Sequence, residues 1–103
     1  MDIGILRWDR RDGADRDQLG KAALAFCRAM RSSDGVHSAR FYWANPDTVV
    51  VLTEADSSEV LYRQASPDLA RATFALADLA RQTGTESLFD ARVAEATFRA
   101  AAT

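Results

Sequence analysis

One cysteine, one histidine, one lysine and two prolines are all that the 103 residues contain of those types. A lone Cys27 excludes an intramolecular disulfide framework and any Cys-rich zinc site. A lone His37 excludes every metal centre that needs two imidazoles, and no metal site is expected. Thirteen basic against fifteen acidic side chains give a formal net charge of -2. That balance argues against a nucleic-acid binder working through bulk positive charge. The longest apolar run is the six residues Ala22 to Cys27, and Met1-Asp2-Ile3-Gly4 carries no basic segment. Neither a secretory signal nor a membrane-spanning helix is expected, so the predicted location is the cytoplasm. There is also no Gly-rich phosphate loop, G-x-S-x-G elbow, C-x-x-C or H-E-x-x-H. The acidic cluster Asp9, Asp12, Asp15 and Asp17 is interleaved with Arg10, Arg11 and Arg16. With no bidentate Glu at the twelfth position it reads as a solvated turn, not a calcium loop.

What is present is enough for one domain over residues 1–103. At 48% hydrophobic, a chain of this size can bury roughly 65% of the surface exposed on unfolding. Ile3 to Trp8 is short, apolar and β-compatible. Asp15, with Gln18 three residues on, opens a helix whose apolar stripe is Leu19, Ala23, Phe26 and Met30. Gly35 is expected to supply the left-handed exit. Val36 to Trp43 alternates, with His37, Ala39, Phe41 and Trp43 on one face and Val36, Ser38, Arg40 and Tyr42 on the other. Asn45-Pro46-Asp47 marks a hairpin turn into Thr48–Thr53, a run apolar on both faces and hence central in a sheet. Asp56 and Glu59 open a short helical piece through Tyr62. Ser66-Pro67-Asp68 starts a longer helix with the stripe Leu69, Ala72, Thr73, Leu76 and Ala80, closed by Gly84. Thr85 to Val93 reads as a last strand, and Ala94 to Thr103 as either helix or frayed tail.

The predicted order is β-α-β-β-α-β, an α+β ferredoxin-like fold with an antiparallel sheet and both helices on one face. Strands one and three are then central. Their second apolar face needs cover that two helices cannot supply, so a second copy packed face to face is expected.

This order, together with Gly35-Val36, the Tyr42-Trp43 approach to Asn45-Pro46-Asp47 and the Ser66-Pro67-Asp68-Leu69 helix start, resembles the dimeric α+β barrel superfamily. The branch it resembles contains antibiotic biosynthesis monooxygenase (ABM)-type proteins, over roughly Ile3 to Val93. The resemblance implies a homodimer with a ligand pocket between sheet and helices of each subunit. Its motifs are structural rather than chemical. Members include cofactor-free oxygenases of aromatic polyketides and haem-degrading enzymes. The haem-degrading members use an Asn on strand one, a Trp in the short helical segment and a His on the following helix. Here those places hold Arg7 or Trp8, Tyr62 or Gln64, and no histidine between Leu69 and Leu79, so no haem and no other cofactor is expected.

Trp8, Tyr42, Trp43, Tyr62 and Phe74 form an aromatic set suited to a flat aromatic ligand, although most are equally suited to core and dimer contacts. Arg7 and Arg40 are suited to orienting a carboxylate or phenolate, or to pairing with Glu54 or Asp90 at a dimer rim. His37 is the default general base if there is catalysis, and otherwise an edge histidine. Cys27 reads as a small buried hydrophobe. The resemblance thus implies a small cofactor-independent monooxygenase for an aromatic or polyketide-like molecule. The alternative is a dimer of the same fold that only binds a ligand or only assembles, with no nucleic acid and no membrane as partner.

Overall fold

The structure is a computed structural model that describes residues 1–61 and 66–102, without the side chains of Val93, Thr97, Ala101 and Ala102. Strand β1 (Asp2–Arg10) leads through a charged turn into helix α1 (Arg16–Arg31). The Asp15 carboxylate accepts from the Gln18 amide at 2.9 Å, satisfying one of the free N–H groups of the first turn. One side of that helix faces the core: Leu19, Ala23, Phe26, Cys27 and Met30 are all buried. The helix ends at Ser32, whose amide bonds back to the Arg28 and Ala29 carbonyls. The left-handed residue comes three positions later, at Gly35 (φ +83°), where the chain turns into the sheet. A Cβ there would also lie 3.0 Å from Val60 Cγ2, so a larger residue is excluded twice over.

Strands β2 (Val36–Asn45) and β3 (Thr48–Ala55) form the expected hairpin, with the Asp47 amide donating to Asn45 Oδ1 at 2.8 Å. A short α2 (Ser58–Leu61) precedes α3 (Pro67–Leu79), which Ser66 caps by accepting from the Leu69 amide at 3.2 Å. Strand β4 (Ala80–Leu88) and helix α4 (Ala91–Ala102) complete the order. The sheet runs β2-β3-β1-β4, antiparallel throughout, so β1 and β3 are central as their composition requires. It is the ferredoxin-like α+β fold.

Three sequence expectations need correction. The second long helix does not run to Gly84; it stops at Leu79, and β4 begins at Ala80 instead of Thr85. Ala80 continues the stripe of Leu76 four residues on, so periodicity alone reads it as helix. The free edge of β1, pairing Arg10 with Ala80 and Asp9 with Arg81, takes those residues into the sheet. The alternation to Val93 is likewise cut short, because Asp90 caps α4 by accepting from the Arg92 amide at 2.9 Å. Finally, Val36 packs against the core beside Ala39 and Phe41, not on the opposite face. Val36 pairs with Ala55 and Ser38 with Glu54, leaving His37 as an extra residue that reverses the alternation.

The core lies on the helix side of the sheet. Trp8, Val49, Val51, Ala39 and Ala80 from the strands meet the α1 stripe and Leu76 of α3. Each Leu, Val or Phe buried there contributes about 1.5–3 kcal/mol. Leu69 packs against this cluster from its margin, and Phe74 points away from it at 71% exposure. On the other side of the sheet Ile3, Ile5, Val50 and Leu52 stay only partly buried. No helix of the described residues is long and apolar enough to cross a membrane.

Candidate functional site

A cleft opens where the sheet parts from the last turn of α1. Its volume is about 40 Å³, and Gly4, Ile5, Leu6, Met30, Thr53, Leu61, Thr85 and Glu86 line it. Gly4 makes room for the layer above it: a Cβ at that position would lie 3.1 Å from Leu61 Cδ1. Glycine inside a strand commonly marks such a close approach. The lining is aliphatic apart from the two threonines and Glu86, so it suits an apolar molecule held by one or two hydrogen bonds. At about 40 Å³ it is well below the roughly 300 to 1,000 Å³ of ligand pockets.

The aromatic residues singled out from sequence do not converge there. Trp8 is buried at 4% exposure on the helix side, edge-on to Phe26 with ring centroids 6.4 Å apart. Its indole Nε1 has no hydrogen-bond partner among the described residues. Trp43 lies on the same side at the far end of β2, its ring edge over Gly20. Tyr42 and Arg40 stand on the opposite face, across from Val50 and Leu52. Phe74 is on the outside of α3, and Tyr62, like Gln64, lies outside the described residues.

His37, at the β2 bulge, is half exposed and bonds through Nε2 to Asp56 Oδ1. Asp56 is itself held by its amide, which donates to the Gly35 carbonyl at 2.8 Å. Asp56 thereby orients the imidazole, but neither residue lines the cleft. Cys27 is buried in α1, and burial pushes its thiol pKa up, against a smaller opposing pull from Arg31. No three His, Cys, Asp or Glu side chains gather in metal-binding geometry among the described residues. Neither the cleft nor its floor was found from sequence; the available signal was Gly4 in an otherwise apolar strand.

No protein-family model matches the chain, and no curated protein sequence does. Solved structures do match. Rv0793 from Mycobacterium tuberculosis superposes with a TM-score of 0.71 at 23% identity, covering 86% of this chain and 93% of that one. SnoaB, a cofactor-independent oxygenase from Streptomyces nogalater, gives 0.72 at 11% identity, covering 86% and 92%. A structure described as an antibiotic biosynthesis monooxygenase gives 0.70 at 16% identity, covering 88% and 98%. This chain has the fold of these structures, a ferredoxin-like α+β fold.

Proposed function

We propose that the protein is a homodimeric, cofactor-independent monooxygenase-type protein that takes an aromatic or polyketide-like small molecule between its sheet and its helices. The observation that carries this reading is the fold, which is shared with a cofactor-independent oxygenase. The cleft adds to it: Met30 and Leu61 line it together with the hydroxyl-bearing Thr53 and Thr85, and at about 40 Å³ it has to widen for such a molecule to enter. A phenol or enol held against it has a threonine hydroxyl within reach of its oxygen and is open to a small apolar co-substrate such as oxygen. Once deprotonated, such a substrate supplies the reducing electrons itself, and the protein's share is to position it. The fold shared with SnoaB supports the same chemistry. The homodimer rests on the partly exposed Ile3, Ile5, Val50 and Leu52, an apolar face that a second sheet would cover.

A second reading, binding without turnover, is favoured by one feature. Glu86, at the rim, is the one titratable residue among those lining the cleft, and His37 stands outside it. Incubating the purified protein with anthrone in air-saturated buffer separates the two. Oxygen uptake above the uncatalysed rate, matched by anthraquinone formation and reduced by Gly4→Val, supports the oxygenase. Saturable binding without oxygen uptake supports the binding protein.

A further inference from the structure

A cleft of about 40 Å³ is too small for an aromatic ring, and its lining decides what it does hold. The pairing register lays out its floor. On the helix side of the sheet Thr53 of β3 pairs with Gly4, and Leu6 pairs with Thr85 of the edge strand β4. Met30 from the last turn of α1 and Leu61 from α2 close it from above. Its inner end is at Thr53, 3% exposed, and its outer end at Thr85, which is exposed. Ile5 and Glu86 pair with each other one position along, so strand alternation turns their side chains to the other face and leaves them at the rim.

Size sets the first limit. One water needs about 10–15 Å³ of such space, so 40 Å³ has room for about two or three atoms of that size. Apolar cavities that take benzene are much larger, at about 150 Å³. Polarity then decides between water and an apolar guest. A buried water is held by about two to four hydrogen bonds. Thr53 and Thr85 supply the hydroxyls of the floor, and two strand spacings and two residues separate them, about 12 Å. A single water can bond both only where they lie within about 6 Å of each other. At the inner end it would have the Thr53 hydroxyl and little else, because the backbone groups beneath are engaged in the β1–β3 and β1–β4 ladders. Water there is poorly held. Leu6, Leu61 and the polarizable thioether of Met30 instead offer dispersion contacts, which an apolar guest accepts without losing hydrogen bonds.

We propose that the closed cleft is a dry chamber for one dioxygen-sized apolar molecule, seated between Gly4, Leu6, Met30 and Leu61. That the natural guest is dioxygen rests on the oxygenase reading above; that the guest is a small apolar gas rests on size and lining alone. Gly4 sets the volume. A Cβ there would lie 3.1 and 3.3 Å from the two Leu61 methyl groups, so one added methyl takes the place of the guest. Those methyl groups end a flexible side chain, and Gly4→Ala is therefore expected to fold.

The test is NMR of the full chain with isotope-labelled Leu, Met and Thr methyl groups, under xenon and then under dioxygen pressure. Xenon should give saturable shifts confined to the methyl groups of Leu6, Met30, Thr53 and Leu61, with Leu19 and Leu76 of the core unmoved. Dioxygen, being paramagnetic, should broaden the same signals. Gly4→Ala should weaken xenon binding by about tenfold or more. Thr53→Val, which exchanges the hydroxyl for a methyl, should leave it unchanged or tighten it. No saturable shift in the wild type, shifts spread over surface methyl groups, or loss of xenon binding in Thr53→Val each overturns the chamber. Oxygen uptake from anthrone with neither gas on these methyl groups overturns the chamber and leaves the oxygenase reading standing. Both gases on these methyl groups without oxygen uptake support the chamber and overturn the oxygenase reading alone.

Discussion

Asp2 is the least conspicuous of the side chains that matter. Its carboxylate is 4% exposed and accepts from two amides, Ser58 at 2.7 Å and Asp90 at 3.2 Å. One residue at the start of β1 therefore tethers the first turn of α2 and the cap of α4. Asp2→Ala leaves both amides without their acceptor, and a urea titration should show a loss of about 2–3 kcal/mol. A loss within the usual surface range would mean the two contacts are not held in solution. Cys27 behaves as burial dictates: its raised pKa keeps the thiol protonated and inert. With a disulfide reagent at pH 8, labelling of the native protein should proceed only at the rate of unfolding. Rapid stoichiometric labelling would place Cys27 at the surface.

At the scale of elements, α1 and the β2–β3 hairpin carry most of the local definition. Phe26 joins α1 to β1 through Trp8. Phe26→Ala should cost about 3–5 kcal/mol in a denaturant titration. A change below about 1 kcal/mol would contradict the packing of α1 on the sheet. At the hairpin, Asp47 accepts from Arg10 at 2.8 Å, with Arg16 3.5 Å away. The Arg10 hydrogen bond is the main reason that the Asp47 carboxyl titrates below its ordinary value. A carboxyl lowered in the folded state stabilises the fold above its unfolded pKa, near 3.9, and loses that contribution as pH falls through the folded value. Arg10→Ala should move the Asp47 titration midpoint, followed by NMR, upward toward the unfolded value. An unmoved midpoint would assign the shift elsewhere. The pair is exposed, so its effect on stability belongs to acid conditions and weakens with salt.

At the scale of the molecule, the proposed homodimer rests on the helix-free face of the sheet. Ile3, Ile5, Val50 and Leu52 are adjacent there by register and remain in partial contact with water. Obligate homodimers that cover such a face bury more than about 2,000 Å² in total, enough to make a folded monomer scarce. Light scattering coupled to size exclusion should give twice the chain mass at low micromolar concentration. Val50 faces away from the helices whereas Val51 is fully buried beneath them. Val50→Asp should therefore yield monomer or poor expression, by placing a charge at the joint without disturbing the core. A well-folded wild-type monomer would leave the apolar face without an account.

The amino-acid sequence by itself determined the features that depend on chemistry within a few residues. The Asp15 cap, the stripe from Leu19 to Met30, the Asn45-Pro46-Asp47 turn and the double-sided apolar runs of β1 and β3 are of that kind, and together they specified the fold class. The tertiary structure decided everything that depends on a partner strand. The stripe through Leu76 and Ala80 suits a helix, yet the open edge of β1 made Ala80 the first residue of β4. One extra residue at His37 put Val36 on the core side, a change of face that no alternation pattern shows in advance. The site divides in the same way. The likeness in element order pointed to a pocket between sheet and helices, but the aromatic set chosen by residue type is spread over both faces of the sheet. The cleft is lined instead by Gly4, Met30, Thr53 and Thr85, residues from separate segments, because a gap between layers is set by the distance at which the layers pack and not by any one strand.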